Sequence, residues 1–518
     1  MCGISGFISS QPQPASLVWL MSDLIRHRGP DDEGFVLFMD FASEPVIAGG
    51  PDTPEQSWQA KVAYAPAKRR EQVSDELVQL AFGHRRLSII DLSPLGHQPM
   101  SYQAGRFWIT YNGEIYNYAE LRCELESFGH TFLSLSDTEV ILAAYAQWGA
   151  DCLSRFNGMW AFAIYDSQRE EIFLARDRFG VKPLYYWIAP NGAFCFASEI
   201  KQFTVFPGWV ARVNHQRAYD FLVRSLTDHT DETLFAGVYQ LQPGYAMRLR
   251  LGEWHPDSTG RLPVEKLYEL KPDFFSGSFT EAALEFRKRL KDAVYLRLRA
   301  DVPVGSCLSG GLDSSAIVCL MNRLLHEKGA KDLQRTFSAC SDVKRFDERY
   351  WIDQVVRMTG VDANYVYPSM QNLFKESSAI TWHQDEPFGS TSIYAQWNVF
   401  RLAAQNGVKV MLDGQGSDEQ LAGYHGYFGA RFADLFRKGR LLRLWQEMQD
   451  TRSIHGYSEI QSMSELVRMM LPQSMKGCLK KILRKETPAW LTLNIPETET
   501  GYHTETSADS GKSLQSLS

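Results

Sequence analysis

The sequence reads as two mixed folds in series, an α+β first half and an α/β second half built on a parallel sheet. Over the first 200 residues, short β-branched and aromatic runs are separated by Gly, Asn and Asp turns. From about residue 300 the rhythm becomes strand, loop, helix, strand, the mark of a sheet with helices on its faces. At 518 residues the chain exceeds one ordinary core, so two to four domains are expected.

Strands are expected at 62–65, 107–111, 160–165, 172–175 and 194–197, where apolar β-formers are bounded by turn residues. Residues 41–80 carry Gly49, Gly50, Pro51 and Pro54 and then mixed charge, which reads as a long surface insertion. Residues 205–280 have no clear period, only prolines as punctuation, and read as interdomain connection. An apolar run at 302–308 then leads through Gly310-Gly311 into a helical pattern at 314–328, stopped by Gly329. A strand at 335–340 precedes a helix at 348–359, with Trp351, Ile352, Val355 and Met358 on one face and Gly360 as its stop. Residues 408–412 form another buried-strand run with a glycine-bearing turn after it. No internal repeat is visible. The expected domains are 2–204, a connection at 205–280, 281–496, and a polar Ser/Thr/Glu-rich tail at 497–518 that buries too little to order by itself.

Composition excludes several functions. The net charge of −7 offers nothing to attract a polyanion, so nucleic acid is not expected as a ligand. No apolar run approaches the roughly 20 residues that span a bilayer, and the basic stretch 476–485 reads as a solvated helix face rather than a membrane surface. MCGISGFISS lacks the charged segment of a secretory signal. The cysteines show no CxxC pairing, so neither a disulfide framework nor zinc is suggested, and a reduced, cytoplasmic setting is the default.

Cys2 directly follows Met1. Removal of Met1 would place a thiol and a free α-amine on one residue. That amine titrates near ~8 in model peptides and can take the thiol proton without a histidine. The thiolate attacks an amide carbonyl, forms a thioester and releases ammonia. An enzyme acting this way on free glutamine needs a guanidinium for the α-carboxylate, a carboxylate for the α-ammonium, and neutral donors for the oxyanion. Arg86, Asp137, and Asn112 with the Gly113 N–H supply that set.

The runs MCGISGFI, RHRGPDDEG, GHRRLSIIDLSPLGHQPM, YNGEIYNY, LARDRFGVKPLYY and FASEIK resemble the glutaminase domain of class II glutamine amidotransferases, within them the glutamine-dependent asparagine synthetase group. The resemblance covers about residues 2–201. It implies a four-layer α/β/β/α N-terminal-nucleophile fold of antiparallel sheets, with Cys2 as nucleophile. Glutamine would be bound by Arg86, Leu87, Ser88, Ile89, Ile90, Asn112, Gly113, Glu114 and Asp137.

Ser309-Gly310-Gly311-Leu312-Asp313-Ser314-Ser315 follows the 302–308 run. Paired glycines after a strand let N–H groups converge on an anion. The hydroxyls and the helix start add donors, and Asp313 can hold Mg²⁺. Gly511-Lys512-Ser513 is not a P-loop, because Thr506 stands where glycine is needed. LRADVPVGSCLSGGLDSS resembles the ATP-pyrophosphatase loop of asparagine synthetases, and Asp347-Glu348, Asp385-Glu386-Pro387-Phe388 and the 413–419 run DGQGSDE continue that family's order. The resemblance implies a Rossmann-like parallel-sheet domain. ATP would be bound by Cys307, Leu308, Ser309, Gly310, Gly311, Asp313, Ser314, Ala339, Asp413 and Gly414, with Mg²⁺ on Asp313 and Asp418. ATP adenylates a carboxylate in such enzymes, and ammonia then displaces AMP.

Two departures stand out. Gln415 occupies a position where asparagine synthetases often carry a Glu acting as general base, and an amide cannot accept a proton. The family also continues past residue 518 with further acyl-adenylate contacts, so the chain reads as cut short. The leading expectation is a glutamine- and ATP-consuming amide synthetase with aspartate as acceptor. Amidation of another carboxylate, in a glycan or secondary metabolite, and a glutaminase or regulatory protein without synthetase activity are the alternatives. The resemblance allows a homodimer.

Overall fold

The computed structural model describes residues 1–471, except 42, 251–253, 255, 256, 258, 259, 272, 328 and 330–333. It divides into two compact units, one of Met1–Glu269 with Arg289–Leu412, the other of Leu270–Lys288 with the chain from Asp413.

The first unit opens with β1 (Gly3–Pro14), α1 (Ser16–Asp23), β2 (Asp32–Phe38), β3 (Val46–Gly49), α2 (Glu55–Trp58), β4 (Lys68–Arg69) and β5 (Leu77–Arg86). It continues through β6 (Met100–Tyr102), β7 (Phe107–Ile115), α3 (Tyr118–Ser127), α4 (Asp137–Trp148), α5 (Cys152–Arg155), β8 (Gly158–Asp166) and β9 (Glu171–Arg176). Then come β10 (Tyr185–Ile188), β11 (Phe194–Ala197), α6 (His215–Arg224), β12 (Val238–Gln240), β13 (Tyr245–Arg250) and β14 (Glu265–Lys266). After α7 (Phe279–Arg297) follow β15 (Val304–Cys307), α8 (Leu312–Glu327), β16 (Arg335–Ala339), α9 (Arg349–Thr359), β17 (Asp362–Val366), α10 (Met370–Gln384), α11 (Thr391–Gln405) and β18 (Val410–Leu412).

Residues 1–269 build two sheets, ordered β12-β10-β11-β1-β5-β2-β3-β4 and β14-β13-β9-β8-β7-β6, antiparallel except for β3 with β4. The strand period of two sorts their side chains. Ile4, Ile8, Leu80 and Phe82 point into a core shared with Trp108, Ala163 and Tyr165 of the other sheet. Phe7, Phe35, Leu37 and Ala81 point the opposite way, onto Val18 and Met21 of α1 and onto Phe203. The outer face of the second sheet is covered by α3 and α4, with Tyr145 of α4 stacked on Phe173 at 5.2 Å between ring centroids. Helix, sheet, sheet, helix gives four layers.

Residues 302–412 form a parallel four-stranded sheet, β17-β16-β15-β18. The chain leaves β15 through α8 to β16 and then β17 on one side, and later places β18 on the other. The carboxyl ends of β15 and β18 therefore flank a topological switch point, where open α/β sheets bind ligands. The second unit holds α12 (Ser417–Leu421), α13 (Gly426–Arg437), α14 (Leu441–His455) and α15 (Glu459–Met470), the last three around Phe432, Leu435, Leu444 and Leu466.

Four sequence expectations are corrected. Residues 62–65 form a turn rather than a strand, with Tyr64 buried and donating its hydroxyl to Leu95 O at 2.7 Å. The 41–80 insertion is not all surface, since β3 and β4 extend the first sheet and Val73 and Val78 are core residues. The 205–280 stretch is more than connection: β12 pairs with β10 and β13 with β9, one strand for each sheet. On α9, Ile352 and Val355 are buried, whereas Trp351 and Met358 are exposed. At 100° per residue these two lie roughly 100–120° around the helix from Ile352; the partly buried Val356 extends the stripe, and Val361, just past the helix, joins the same cluster. The tail, the 476–485 stretch and residues 511–513 lie outside the described residues. Among those described, no helix is long and apolar enough to cross a membrane.

Candidate functional site

Cys2 sits at the entrance to β1, which pairs with β5 so that Gly3 stands opposite Arg85. The thiol thereby meets the residues that follow β5. Leu87 N–H donates to Cys2 Sγ at 3.3 Å, and Sγ lies 3.7 Å from Leu87 O. Arg28 fixes the Cys2 main chain, its Nε donating to Cys2 O at 3.0 Å while its Nη1 pairs with Glu199 at 2.7 Å. The α-amine of Met1 is lowered to about 5, by burial foremost and then by Arg28 and Lys182 against the opposing pull of Cys2. The N-terminal amine of Met1 is therefore neutral at pH 7.

Arg86 is only 6% exposed, yet no carboxylate among the described residues pairs with it. Its guanidinium donates to main-chain carbonyls, those of Ser93 (3.3 Å), Ile90 (3.4 Å) and Asp91. Three of five donors are thus engaged with neutral acceptors and two remain for a ligand. Gly96 makes room for this, because a Cβ there would lie 1.9 Å from Arg86 Nη2. A desolvated guanidinium with uncompensated charge is a place for an anion.

The loop after Arg86 is tied at several points. Asp31 accepts from Ser88 N–H at 2.8 Å. Asp91, buried with φ 55°, accepts from Ser93 N–H at 3.0 Å and from Leu135 N–H at 2.8 Å. Leu135 leads into Ser136, whose hydroxyl caps α4 by accepting from Thr138 N–H at 3.0 Å. Asp137 is the first residue of that helix. Its Oδ2 accepts from Ile115 N–H at 2.9 Å and from Tyr111 Oη at 3.0 Å. Burial outweighs these bonds and pushes its carboxyl up to about 6.

On β7, the amide nitrogen of Asn112 is buried with no hydrogen-bond partner among the described residues, an uncommon state that a ligand acceptor would relieve. Gly113 follows, opposite Trp160 of β8. Glu114 is buried and pushed up to about 7, by burial first, with Lys182 opposing and Asp137 reinforcing. Lys182, also buried, reaches Met1 Sδ at 2.9 Å and is brought down to about 8, again by burial against Glu114. Ile89 and Ile90 lie on the same loop as Leu87 and Ser88.

In the parallel sheet, Cys307 ends β15 and Ala339 ends β16, with Ser338 Oγ donating to Leu308 O at 2.6 Å. Gly310 adopts φ +88°, and a Cβ there would lie 3.0 Å from Glu348 O, so both its conformation and its neighbour call for glycine. Ser314 Oγ accepts from Ser309 N–H at 3.2 Å and lies 3.0 Å from Ser309 Oγ. The first-turn N–H groups of the 16-residue α8 have no intrahelical acceptor and point back over this loop, beside Asp313. That donor set fits a phosphate chain. Among the described residues no cluster of three or more His, Cys, Asp or Glu could hold a metal alone. Mg²⁺ carried by nucleotide phosphates needs only one or two carboxylates. Asp413 and Gly414 follow β18, and Asp418 is in the first turn of α12.

Sequence reasoning gave no role to Arg28, Asp91, Lys182 or Asp301. Lys182 carried a usable signal, a lysine between Val181 and Pro183 in an otherwise apolar and aromatic run. The DEPF carboxylates belong to the seam with the four-layer part: Asp385 Oδ2 accepts from Ile200 N–H at 2.5 Å, and Glu386 accepts from Leu234 N–H at 2.6 Å.

A family model described as a glutamine amidotransferase domain matches residues 66–258, and one described as asparagine synthase matches 285–507. "Putative asparagine synthetase (glutamine-hydrolyzing) 2" of Methanocaldococcus jannaschii is 30% identical over 491 residues, 91% of this chain and 85% of the relative. "Asparagine synthetase (glutamine-hydrolyzing) 1" of Bacillus subtilis is 32% identical over 82% of this chain and 59% of its own length. "Amidase chry2" of Gibberella zeae is 31% identical over 82% and 60%. The chain thus spans about three fifths of the last two.

Proposed function

The chain belongs to the glutamine-hydrolysing asparagine synthetase family, and from that premise we propose that it draws ammonia from glutamine at Cys2 and delivers it to an ATP-activated carboxylate, aspartate by default. One observation carries the reading. The thiol of Cys2 stands 3.3 Å from the N–H of the residue after Arg86, a buried guanidinium with no carboxylate partner among the described residues.

After removal of Met1, the α-amine of Cys2 takes the thiol proton. Arg86 holds the α-carboxylate of glutamine, and Asp137 with Glu114 holds its α-ammonium. Sulfur attacks the side-chain carbonyl carbon, and the oxyanion receives hydrogen bonds from Asn112 Nδ2 and Gly113 N–H. Collapse breaks the C–N bond. The leaving nitrogen takes the proton from the Cys2 ammonium and departs as ammonia. Water then cleaves the thioester to glutamate and restores the thiol. Leu87 N–H donates to Sγ, and Lys182 lies buried beside the N-terminus.

At the second centre, ATP is a co-substrate that turns the acceptor's carboxylate oxygen into part of an AMP leaving group. Cys307, Leu308, Ser309, Gly310, Gly311, Ser314 and Ala339, with Asp413 and Gly414, are the groups proposed to hold it. Asp313 and Asp418 are proposed for Mg²⁺. The loop geometry and the α8 amides support the phosphate part of this reading.

Ammonia release from glutamine by the wild type and by Cys2→Ala tests the first centre, with mass spectrometry reporting loss of Met1. Release should vanish in the variant, and activity that survives there sinks the assignment. A second reading, amidation of a different carboxylate, is favoured by Gln415, an exposed amide unable to act as a base, and by a relative named as an amidase. Pyrophosphate release across a panel of carboxylic acids separates the two.

A further inference from the structure

The connector between α7 and β15 reaches back onto the loops that carry the proposed glutamine contacts. Arg297 lies over the Tyr116 ring at 4.6 Å. Arg299 donates to Tyr116 O at 2.8 Å and pairs with Glu120, just beyond the β7 segment that bears Asn112, Gly113 and Glu114. Asp301 makes a reciprocal pair of bonds to the other loop. Its N–H donates to Ile89 O at 2.9 Å, and its Oδ2 accepts from Asp91 N–H at 2.8 Å.

Asp91 joins the two charge-recognising residues. Its carbonyl accepts from Arg86 Nη2, and its Oδ2 holds Leu135 N–H, two residues before Asp137. Its backbone sits at φ 55°, a region uncommon for residues with a Cβ, held in part by its own side chain accepting from Ser93 N–H. The Asp301 carboxylate is the acceptor that fixes the Asp91 N–H in that conformation. A change at residue 301 therefore reaches Arg86 and α4 through one intermediary.

We propose that Asp301, supplied by the segment leading into the ATP-loop domain, is a positioning residue of the glutamine site: by holding Asp91 it sets the Arg86 guanidinium and the start of the Asp137 helix. The glutamine site is then completed by the other half of the protein. The inference rests on the assignment of Arg86 and Asp137 to glutamine.

The test uses the full chain with Asp301→Ala, Asp301→Ser and Asp301→Asn, together with Arg299→Ala. Asn keeps an oxygen that accepts from Asp91 N–H, while Ala has no acceptor and Ser is too short to reach, Ser also standing in if Ala fails to fold. KM for glutamine should rise about fivefold to tenfold in Ala and Ser with kcat nearly unchanged, and return to within twofold of wild type in Asn. Hydrogen exchange at 89–91 and 135–137 should accelerate in Ala and Ser and not in Asn. Wild-type exchange in Ala and Ser overturns the proposal whatever the activity, and so does an equal KM rise in Arg299→Ala, which would indicate general loosening. A wild type that hydrolyses no glutamine overturns the functional reading instead, and the exchange result still decides the role of Asp301.

Discussion

Asp137 and Glu114 are both buried carboxyls whose affinity for protons is raised, to about 6 and about 7. Each influences the other, so their titration is shared. A carboxyl must be ionised to balance the α-ammonium of glutamine, and kcat/KM reports the free enzyme. We expect kcat/KM to fall on the acid side with an apparent pKa between about 6 and 7, approaching tenfold per pH unit. Asp137→Asn should flatten part of that limb and lower kcat/KM at pH 8 by about 10²-fold, in line with the loss of one partner of a buried charge pair. Stability should move the opposite way. A carboxyl whose pKa is raised on folding binds a proton in the native state that the unfolded chain has released, so its contribution declines as pH rises from about 4 to 6. Urea unfolding should therefore show Asp137→Asn gaining stability relative to wild type between pH 5 and pH 8. A constant difference would mean that Asp137 is not buried in charged form.

Strands β2 and β5 place Glu33 directly opposite Arg85, and the salt bridge closes at 3.0 Å with Glu33 wholly buried. Asp52, from the insertion after β3, joins Arg85 at 2.6 Å, and Asp23 at the end of α1 joins it at 2.7 Å. One guanidinium thus ties the insertion, α1 and two central strands. Burial raises the Glu33 pKa even with Arg85 beside it. Arg85→Leu should cost about 3–5 kcal/mol at pH 8, because it strands a buried carboxylate, and less near pH 5, where Glu33 is more readily protonated. Adding Glu33→Gln should recover part of the loss. Thermal unfolding of both variants at the two pH values checks this, and a cost independent of pH would show that Glu33 is not the group left unpaired. This network was not legible in the sequence, where the insertion showed only Gly, Pro and mixed charge. Strands β7, β8, β9 and β11 were legible, since their β-branched and aromatic runs end in turn residues. Strand β12 was not, because three residues have no period and gain their structure by pairing with an edge already present.

Cys2, Arg86, Asn112 and Asp137 were expected from the sequence as an ordered set of short runs, and the fold brings Cys2 beside the residue that follows Arg86. Asp301 could not be read there, since its partner Asp91 lies 210 positions away, and Lys182 showed only as a lysine in an apolar and aromatic run, its partner Met1 lying 181 positions away. The same holds for the seam between the four-layer part and the parallel-sheet part, which joins residues far apart in the chain. Its ion pairs differ in exposure, and exposure decides their worth. Lys409–Asp31 (2.7 Å) and Arg299–Glu120 have one or both partners in solvent and should contribute about 0–1 kcal/mol each. Lys201–Asp385 (2.8 Å) is 10% and 6% exposed, Asp385 also holds Ile200 N–H, and the Lys201 ammonium lies 4.4 Å from the Trp382 ring centroid. Removing that cation leaves a buried carboxylate facing the neighbouring Glu199, whereas Glu199 keeps Arg28 and His27. Lys201→Met should therefore destabilise the seam by about 2–4 kcal/mol, and Arg299→Ala by less than about 1 kcal/mol. If ammonia passes from one centre to the other, a loosened seam lets it escape, so Lys201→Met should form more than one glutamate per pyrophosphate while the wild type stays near one. Calorimetry with simultaneous assay of glutamate and pyrophosphate reads both effects. Equal destabilisation by the two variants would refute the ranking by burial, and an unchanged product ratio in a measurably loosened Lys201→Met would show that ammonia transfer does not depend on this seam.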